Sequence, residues 1–229
     1  MKFLLIRCIT ALCLLSGTAA LAQAPHDNEL APGLFEEQLQ SAQRGHAGSQ
    51  VLVGLAYQVN YLGVEQNFKE AVRWFRLAAN QGHQLGQNLL AKSYFYGMGV
   101  TQDFAQAKNR FKTAAEQGEP EAQFMLASIY LDLGDYDELE RNPKEAYRWF
   151  SRSAQQNYIP AYAALASLYE NGLGVERDLE TARNWYKKSC DQGVYASCEP
   201  FKRIDDELNE LAEKELLEET QNTTEVIDF

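Results

Sequence analysis

The sequence predicts an all-α protein, a solenoid built from four tandem pairs of helices. A pattern in which an Asx residue is followed four residues later by Ala recurs at intervals of 36, 39 and 36 residues. The four pairs are Asn67 and Ala71, Asp103 and Ala107, Asn142 and Ala146, and Asp178 and Ala182. A period in the mid-thirties is typical of helix-pair solenoids, in which a unit buries its apolar face only against a neighbour.

The first helix of each repeat, helix A, is predicted from the spacing of its small and large residues. Counted from an apolar anchor as position zero, the repeated residues fall at minus four, zero, plus one and plus four, which is one stripe of an α-helix. The anchor, the tiny residue and the tyrosine are Val53, Gly54 and Tyr57; Leu90, Ala91 and Tyr94; Leu126, Ala127 and Tyr130; and Leu165, Ala166 and Tyr169. The tiny residues let two helices approach closely.

Helix B, the second helix of each repeat, is predicted to begin at the Asx residue. Asn and Asp are good N-caps because their side-chain oxygen accepts from the free N–H groups of the first turn. Each repeat ends at a residue that tolerates the left-handed conformation found after a helix, and these residues are Gly82, Gly118, Asn157 and Gly193. The predicted repeats are 46–82, 83–118, 119–157 and 158–193, within a solenoid of residues 46–201.

The two ends of the chain are expected to cap the repeats. Residues 23–45 are predicted to be an N-terminal leader and capping helix, and residues 202–229 an acidic C-terminal helix and tail. Apolar residues recur near helical spacing at Ile204, Leu208, Leu211 and Leu216, and they are expected to cover the last open repeat face. The chain is expected to fray from Gln221 onward.

These motifs resemble those of the Sel-one-like repeat (SLR) family, relatives of the tetratricopeptide repeats. The shared elements are Leu-Ala-x-x-Tyr, Gly-x-Gly-Val, Asp-x-x-x-Ala and Trp-Tyr-x-x-(small)-x-x-x-Gly, best preserved from Leu165 to Gly193. The resemblance implies a right-handed superhelix of antiparallel helix pairs that serves as a protein-binding scaffold. The first repeat departs from it with Asn60 and Leu62 where the second has Gly97 and Gly99, so its loop is expected to differ in shape. The third repeat carries three extra residues in its loop.

The first 22 residues are expected to be a signal peptide. Lys2 and Arg7 precede an apolar run at residues 8–15, and Ala20-Leu21-Ala22 fits the small-x-small rule for cleavage. Cleavage after Ala22 would place the mature chain in the bacterial periplasm or in the medium, without membrane insertion. The alternative is an uncleaved anchor, for which the apolar run is short against about 30 Å of hydrocarbon.

The charge of the chain narrows the classes of partner. The formal net charge is −11, and loss of the signal peptide moves it to −13. An acidic protein repels nucleic acid phosphates and anionic membrane surfaces, so both are poor partners. A protein or peptide partner is expected, and the sequence leaves the oligomeric state open.

Cys190 and Cys198 are the two cysteines that follow the signal peptide. They lie on either side of the closing Gly193, and in an oxidising compartment a disulfide is the natural outcome. The arrangement also resembles the cysteine-rich branch of the SLR family, in which such pairs link the ends of a turn. A redox pair and a metal site are the alternatives, but the spacing is not Cys-x-x-Cys.

Motifs for catalysis are scarce, so the chain is not expected to be an enzyme or to hold a cofactor. His46 and His83 follow closing positions of the repeats and are expected to be turn residues, and His26 lies in the leader. The sequence lacks His-Glu-x-x-His, Gly-x-Ser-x-Gly and a phosphate-binding loop. The alternative function is a penicillin-binding or weak β-lactamase-like protein of the cysteine-rich type, but the Ser-x-x-Lys pair that it requires does not occur.

Two regions are candidates for ligand binding. The acidic insertion at residues 132–140 has the oxygen density of a calcium site but not the frame of an EF-hand, so a solvated loop is the alternative and no metal site is assigned. On helix A, positions two and five residues from the anchor lie opposite the core stripe and would line the concave face that the family resemblance implies. The candidate residues are Asn88, Lys92, Phe95, Phe124, Ser128, Leu131, Ser167 and Glu170. Phe95, Phe124 and Leu131 are expected to be exposed for a partner, or else to pack between adjacent repeats.

Overall fold

The computed structural model describes residues 32–61, 63–131 and 141–227. Over these ranges the chain forms ten α-helices and a short 3-10 helix at Tyr195–Ser197, and it contains no strand. The helices are α1 Pro32–Gln43, α2 Ala47–Val59, α3 Phe68–Asn80, α4 Gln84–Tyr96, α5 Phe104–Glu116, α6 Pro120–Leu131, α7 Pro143–Gln155, α8 Pro160–Asn171, α9 Leu179–Asp191 and α10 Cys198–Ile227. The prediction of an all-α fold is confirmed. The expected signal peptide and the acidic insertion lie outside the described residues.

Helices α2, α4, α6 and α8 are the predicted helices A, and α3, α5, α7 and α9 are the predicted helices B. Each helix B begins after the expected cap. The side-chain oxygen of the cap accepts from backbone N–H groups in the first turn: Asn67 from Lys69 and Glu70, Asp103 from Gln106, Asn142 from Glu145, and Asp178 from Thr181. The closing residues have the expected positive φ, with 78° at Gly82, 99° at Gly118, 60° at Asn157 and 86° at Gly193.

The loops inside the first, second and fourth repeats also contain left-handed residues. Gly97 and Gly99 of the second repeat have φ of 69° and 76°. The first repeat places Asn60 at φ 55° and Gly63 at φ 76°, so it keeps both left-handed positions although its loop is one residue longer. Leu62 is not among the described residues. Both loops therefore contain two left-handed residues, although their sequences and lengths differ.

The chain divides into two compact units, one containing α1 to α6 and the other α7 to α10. In the first unit a cluster of buried side chains joins α2, α3 and α4, and it includes Val51, Val72, Phe75, Leu89 and Leu90. A second type of contact recurs there, in which a glutamine of helix A donates its amide to a carbonyl of the preceding helix. These bonds run from Gln50 to Ala42, from Gln87 to Ala79 and from Gln123 to Ala115.

In the second unit, the first turns of α10 cover α8 and α9. Ile204 is fully buried, in a cluster with Ala166, Ala182 and Tyr186, and Leu208 packs against the same cluster. The prediction that these two residues cover the last repeat is confirmed. For Leu211 and Leu216 it is wrong, because their side chains are 46% and 63% exposed.

The length of α10 explains this difference. A helix of 30 residues is about 45 Å long, whereas the 13 residues of α9 span about 20 Å, so the distal part of α10 passes beyond the helix that it covers. Helical backbone continues to Ile227 instead of fraying at residue 221. The absence of Gly and Pro between residues 221 and 227 leaves nothing in the sequence to end the helix there.

Candidate functional site

The predicted binding face of helix A is largely buried. Phe95, Phe124 and Leu131 are only 6%, 1% and 7% exposed, so the expectation that they form an exposed row is wrong. The ring of Phe95 packs edge-on against Phe104 and Phe111 of α5, with centroids 5.5 and 6.1 Å away. This contact of Phe95 lies within one repeat.

The neighbours of helix A explain this burial. Helix α4 contacts the helix B before it, the helix B after it and also the preceding helix A. A helix packed on three sides exposes only a narrow strip to solvent. A residue can therefore lie opposite the core stripe of helix A and still be buried. Of the predicted residues in the first unit, only Lys92 and Ser128 remain partly exposed.

A polar cluster interrupts this apolar packing between α4 and α6. Asn88, one of the predicted residues, is fully buried, and its Nδ2 donates to Glu121 Oε2 over 2.7 Å. Lys92 Nζ lies 2.8 Å from the other oxygen, Glu121 Oε1, with the two side chains 19% and 21% exposed. We call Asn88, Lys92 and Glu121 the Asn88 cluster.

The Asn88 cluster contains an unsatisfied hydrogen-bond acceptor. Asn88 Oδ1 is buried and has no hydrogen-bond partner among the described residues. A buried carbonyl without a donor costs about 1–3 kcal/mol, so a native protein rarely keeps one without a reason.

The electrostatics at the edge of the cluster are also unusual. Burial raises the pKa of Glu119, and the negative charge of Glu121 raises it further. A hydrogen bond from the backbone N–H of Glu121 and the positive charge of Lys92 oppose this shift. Lys92 is therefore the cation that balances two carboxylates on α6 and the turn before it.

Sequence reasoning placed Asn88 and Lys92 on this face but missed Glu121. The signal was present, because Glu121 lies five residues before the anchor Leu126, on the same stripe of helix A. Ser128, another predicted residue, donates its hydroxyl to the carbonyl of Phe124 within its own helix.

In the second unit, the predicted residue Glu170 is occupied by other parts of the chain. Its carboxylate accepts from the hydroxyl of Tyr186 over 2.8 Å and from the guanidinium of Arg203 on α10. Burial, followed by the charge of Glu170, raises the pKa of Tyr186 well above its usual range. Ser167 accepts from Asn171 through its carbonyl. Glu170 is therefore not free for a partner, because Arg203 of α10 binds it.

Cys190 and Cys198 form the expected disulfide. Their Cα atoms are 5.0 Å apart, and they join the end of α9 to the start of α10. Beside it, Ser197 Oγ donates to Ser189 Oγ over 2.9 Å in a buried contact. The disulfide therefore holds the C-terminal helix at the point where it leaves the last repeat.

The remaining candidates for chemistry have structural roles. His83 Nδ1 accepts from the backbone N–H of Gly86 at the start of α4, and His46 Nδ1 lies 3.0 Å from the carbonyl oxygen of Ser41, so both are turn residues as expected. Within the described ranges, no group of three or more His, Cys, Asp or Glu side chains is placed to hold a metal ion. No helix in that part of the chain is long and apolar enough to cross a membrane.

Comparison with known proteins assigns the repeats to a family. Residues 47–83, 84–119, 120–158 and 159–194 each match the Sel1 repeat. Among curated proteins, chitin synthase regulator SKT5 of Malassezia restricta is 29% identical over 167 residues, which are 73% of this chain and 9% of that protein. Chitin synthase regulatory factor 3 of Schizosaccharomyces pombe is 28% identical over 159 residues, 69% of this chain and 13% of that protein.

Solved structures show the same architecture. A protective antigen of uropathogenic Escherichia coli with an SLR fold is 34% identical, with a TM-score of 0.67 over 72% of this chain and 34% of that one. A Sel1 repeat protein of Oxalobacter formigenes is 28% identical, with a TM-score of 0.66 over 74% of this chain and 48% of that one. This chain spans less than half the length of each of these four proteins.

Proposed function

Because the chain belongs to the Sel1 repeat family, we propose that it is a non-catalytic scaffold that binds a protein or peptide partner at the Asn88 cluster. The observation that carries this proposal is the buried, unsatisfied Oδ1 of Asn88 beside a partly exposed ion pair. A peptide group supplies the missing donor with its N–H and an acceptor for Lys92 with its carbonyl. Partner binding would thus complete the hydrogen bonding of the cluster.

The relatives support a role in partner binding. Two of them are named as regulators of chitin synthase, so their described role is to act on another protein. Because this chain covers only 9% and 13% of their lengths, the proposal takes from them the class of partner, a protein, and not its identity. Residues 1–22 have the pattern of a signal peptide, so the proposal includes a location. The scaffold is exported to the bacterial envelope or the medium after cleavage behind Ala22.

Peptides selected from a random phage-displayed library on the purified chain provide a probe for this site. Lys92→Glu places a third carboxylate beside Glu119 and Glu121, and it should weaken binding of a selected peptide at least tenfold. Lys112→Glu is the matched control, because Lys112 forms an exposed ion pair with Glu116 on the outer side of α5. Equal affinity of wild type and Lys92→Glu for every selected peptide would contradict the proposed site.

A second variant separates binding from stability. Asn88→Leu has a similar volume and removes both the bond to Glu121 and the unsatisfied carbonyl, so the fold should be about as stable as wild type. Peptide binding should nevertheless fall. If Asn88→Leu unfolds at a much lower denaturant concentration than wild type, Asn88 has a structural role instead.

The proposed location is tested by expression in a bacterial host. Intact mass of the chain recovered from the periplasmic fraction should correspond to an N-terminus at Gln23. Recovery only from the cytosol, with residues 1–22 retained, would contradict export.

A further inference from the structure

One side of α2 is apolar and open to solvent. Leu52 and Val59 are 51% and 38% exposed, and they lie seven residues apart on the same face of the helix. Gly48 continues this face one turn earlier, and a β-carbon built on it meets no atom within 4 Å. We call Gly48, Leu52, Leu55 and Val59 the α2 face.

The corresponding position is buried in every later repeat. Leu89, Met125 and Ala164 occupy the place of Leu52 in their helices, and they are 7%, 5% and 7% exposed. Leu89 is buried in a cluster with Val51, Val72 and other side chains of the preceding repeat. The α2 face therefore corresponds to a surface that is buried in the later repeats, and none of the described residues buries it in the first repeat.

We propose that a second copy of this chain covers the α2 face, in a symmetric dimer with the two α2 helices antiparallel. Helix α2 contains no charged residue among its 13, so its own side chains bring no like charges together when two copies meet, although the chain has a net charge of −11. This absence of charge favours self-association over binding to a charged partner.

The pattern of side-chain sizes on the α2 face is self-complementary. A two-fold axis between residues 53 and 54 places Gly48 opposite Val59 of the second copy, and Leu52 opposite Leu55 of the second copy. The space beside Gly48 then receives the side chain of Val59 of the second copy, so a large residue packs against a small one. The two-fold axis repeats this contact on its other side. Leu55 already packs partly on the core of its own chain and forms the inner edge of the contact.

Analytical ultracentrifugation of the full chain, purified from a bacterial periplasm, tests the dimer. Wild type should have the mass of two chains at about 10 µM. Leu52→Glu should have the mass of one chain, because it buries two unpaired carboxylates at the axis. Gly48→Leu should also have the mass of one chain, because it fills the space that Val59 of the second copy requires, while its β-carbon meets no atom of its own chain within 4 Å.

Leu77→Glu is the matched control, since Leu77 is a leucine of similar exposure, 41%, on a different helix, α3. It should retain the mass of two chains. Circular dichroism should show wild-type helicity for all three variants. A single-chain mass for wild type at about 100 µM, or a two-chain mass for both Leu52→Glu and Gly48→Leu, would overturn the proposal.

Discussion

The carbonyl oxygen of Phe68 lies so close to Gly99 that a β-carbon at residue 99 would be 2.2 Å from it. The relationship recurs in the second unit, where a β-carbon on Gly174 would be 2.1 Å from the carbonyl oxygen of Pro143. Gly63 has the same φ of 76° as Gly99 but no atom within 4 Å of its β-carbon position. Gly99 and Gly174 therefore let the loop of one repeat rest on the first turn of the preceding helix B.

Substitution of these glycines by alanine should separate backbone strain from steric contact. Gly63→Ala should cost about 1 kcal/mol of unfolding free energy, from the left-handed conformation alone. Gly99→Ala should cost about 1–3 kcal/mol more, because the backbone at Phe68 must move away. Urea denaturation monitored by circular dichroism measures both. Equal losses for the two variants would show that the contact with Phe68 contributes nothing.

The cap of α9 should make stability depend on pH. The hydroxyl and the backbone N–H of Thr181 donate to the carboxylate of Asp178 over 2.6 and 2.9 Å, and these bonds hold the pKa of Asp178 below its usual range. A lowered pKa means that the stabilisation is complete above the pKa of the unfolded chain and is lost as pH falls through the folded value.

Asp178→Ala should therefore be less stable than wild type by about 1 kcal/mol at neutral pH. The difference should shrink progressively below about pH 4, where the carboxylate of the unfolded chain becomes protonated. Asp178→Asn is the control, because its amide oxygen still caps the helix but does not titrate in this range. A difference between wild type and Asp178→Ala that stays constant with pH would contradict this account.

Removal of the buried side chain at Ile204 should detach α10 from the last repeat. Ile204→Ala opens a cavity in the cluster with Ala166 and Tyr186, and it should cost about 2–5 kcal/mol. Leu211→Ala, on the exposed part of the same helix, should change stability by less than about 0.5 kcal/mol. Hydrogen exchange should show early opening of α10 in the first variant only. Comparable losses from both variants would mean that the distal helix is packed as tightly as its first turns.

The disulfide should stabilise the junction between α9 and α10. Cys190 and Cys198 are eight residues apart, and closing so short a loop is worth about 2–3 kcal/mol in the chain-entropy model. A double replacement of both cysteines by serine should lose this amount, and a reducing agent should then have no further effect on it. Thiol counting on the denatured, unreduced protein should find no free thiol at these positions. Two free thiols would show that the bond is absent from the isolated protein.

Features that depend on neighbouring residues in the chain could be predicted from the sequence. The N-caps at Asn67 and Asp178 and the left-handed Gly82 are of this kind, because the side chain or backbone involved acts within one turn. The exposure of helix A could not be predicted, because three other helices decide it. The contact between Arg203 and Glu170 could not be predicted for the same reason. The two residues are 33 positions apart, and no local sequence pattern determines how α10 packs against the last repeat.

The glutamine bonds between helices have a consequence for the order in which this protein folds. Each of Gln50, Gln87 and Gln123 donates to a carbonyl eight residues earlier in the chain, and Ser197 and Cys198 contact Ser189 and Cys190 across the same interval. Loops of this size close in about 10–100 ns, much faster than a ribosome adds one residue. These four junctions all contact chain that has already been synthesised, so the helix that follows each of them can dock as it emerges, without waiting for the C-terminus.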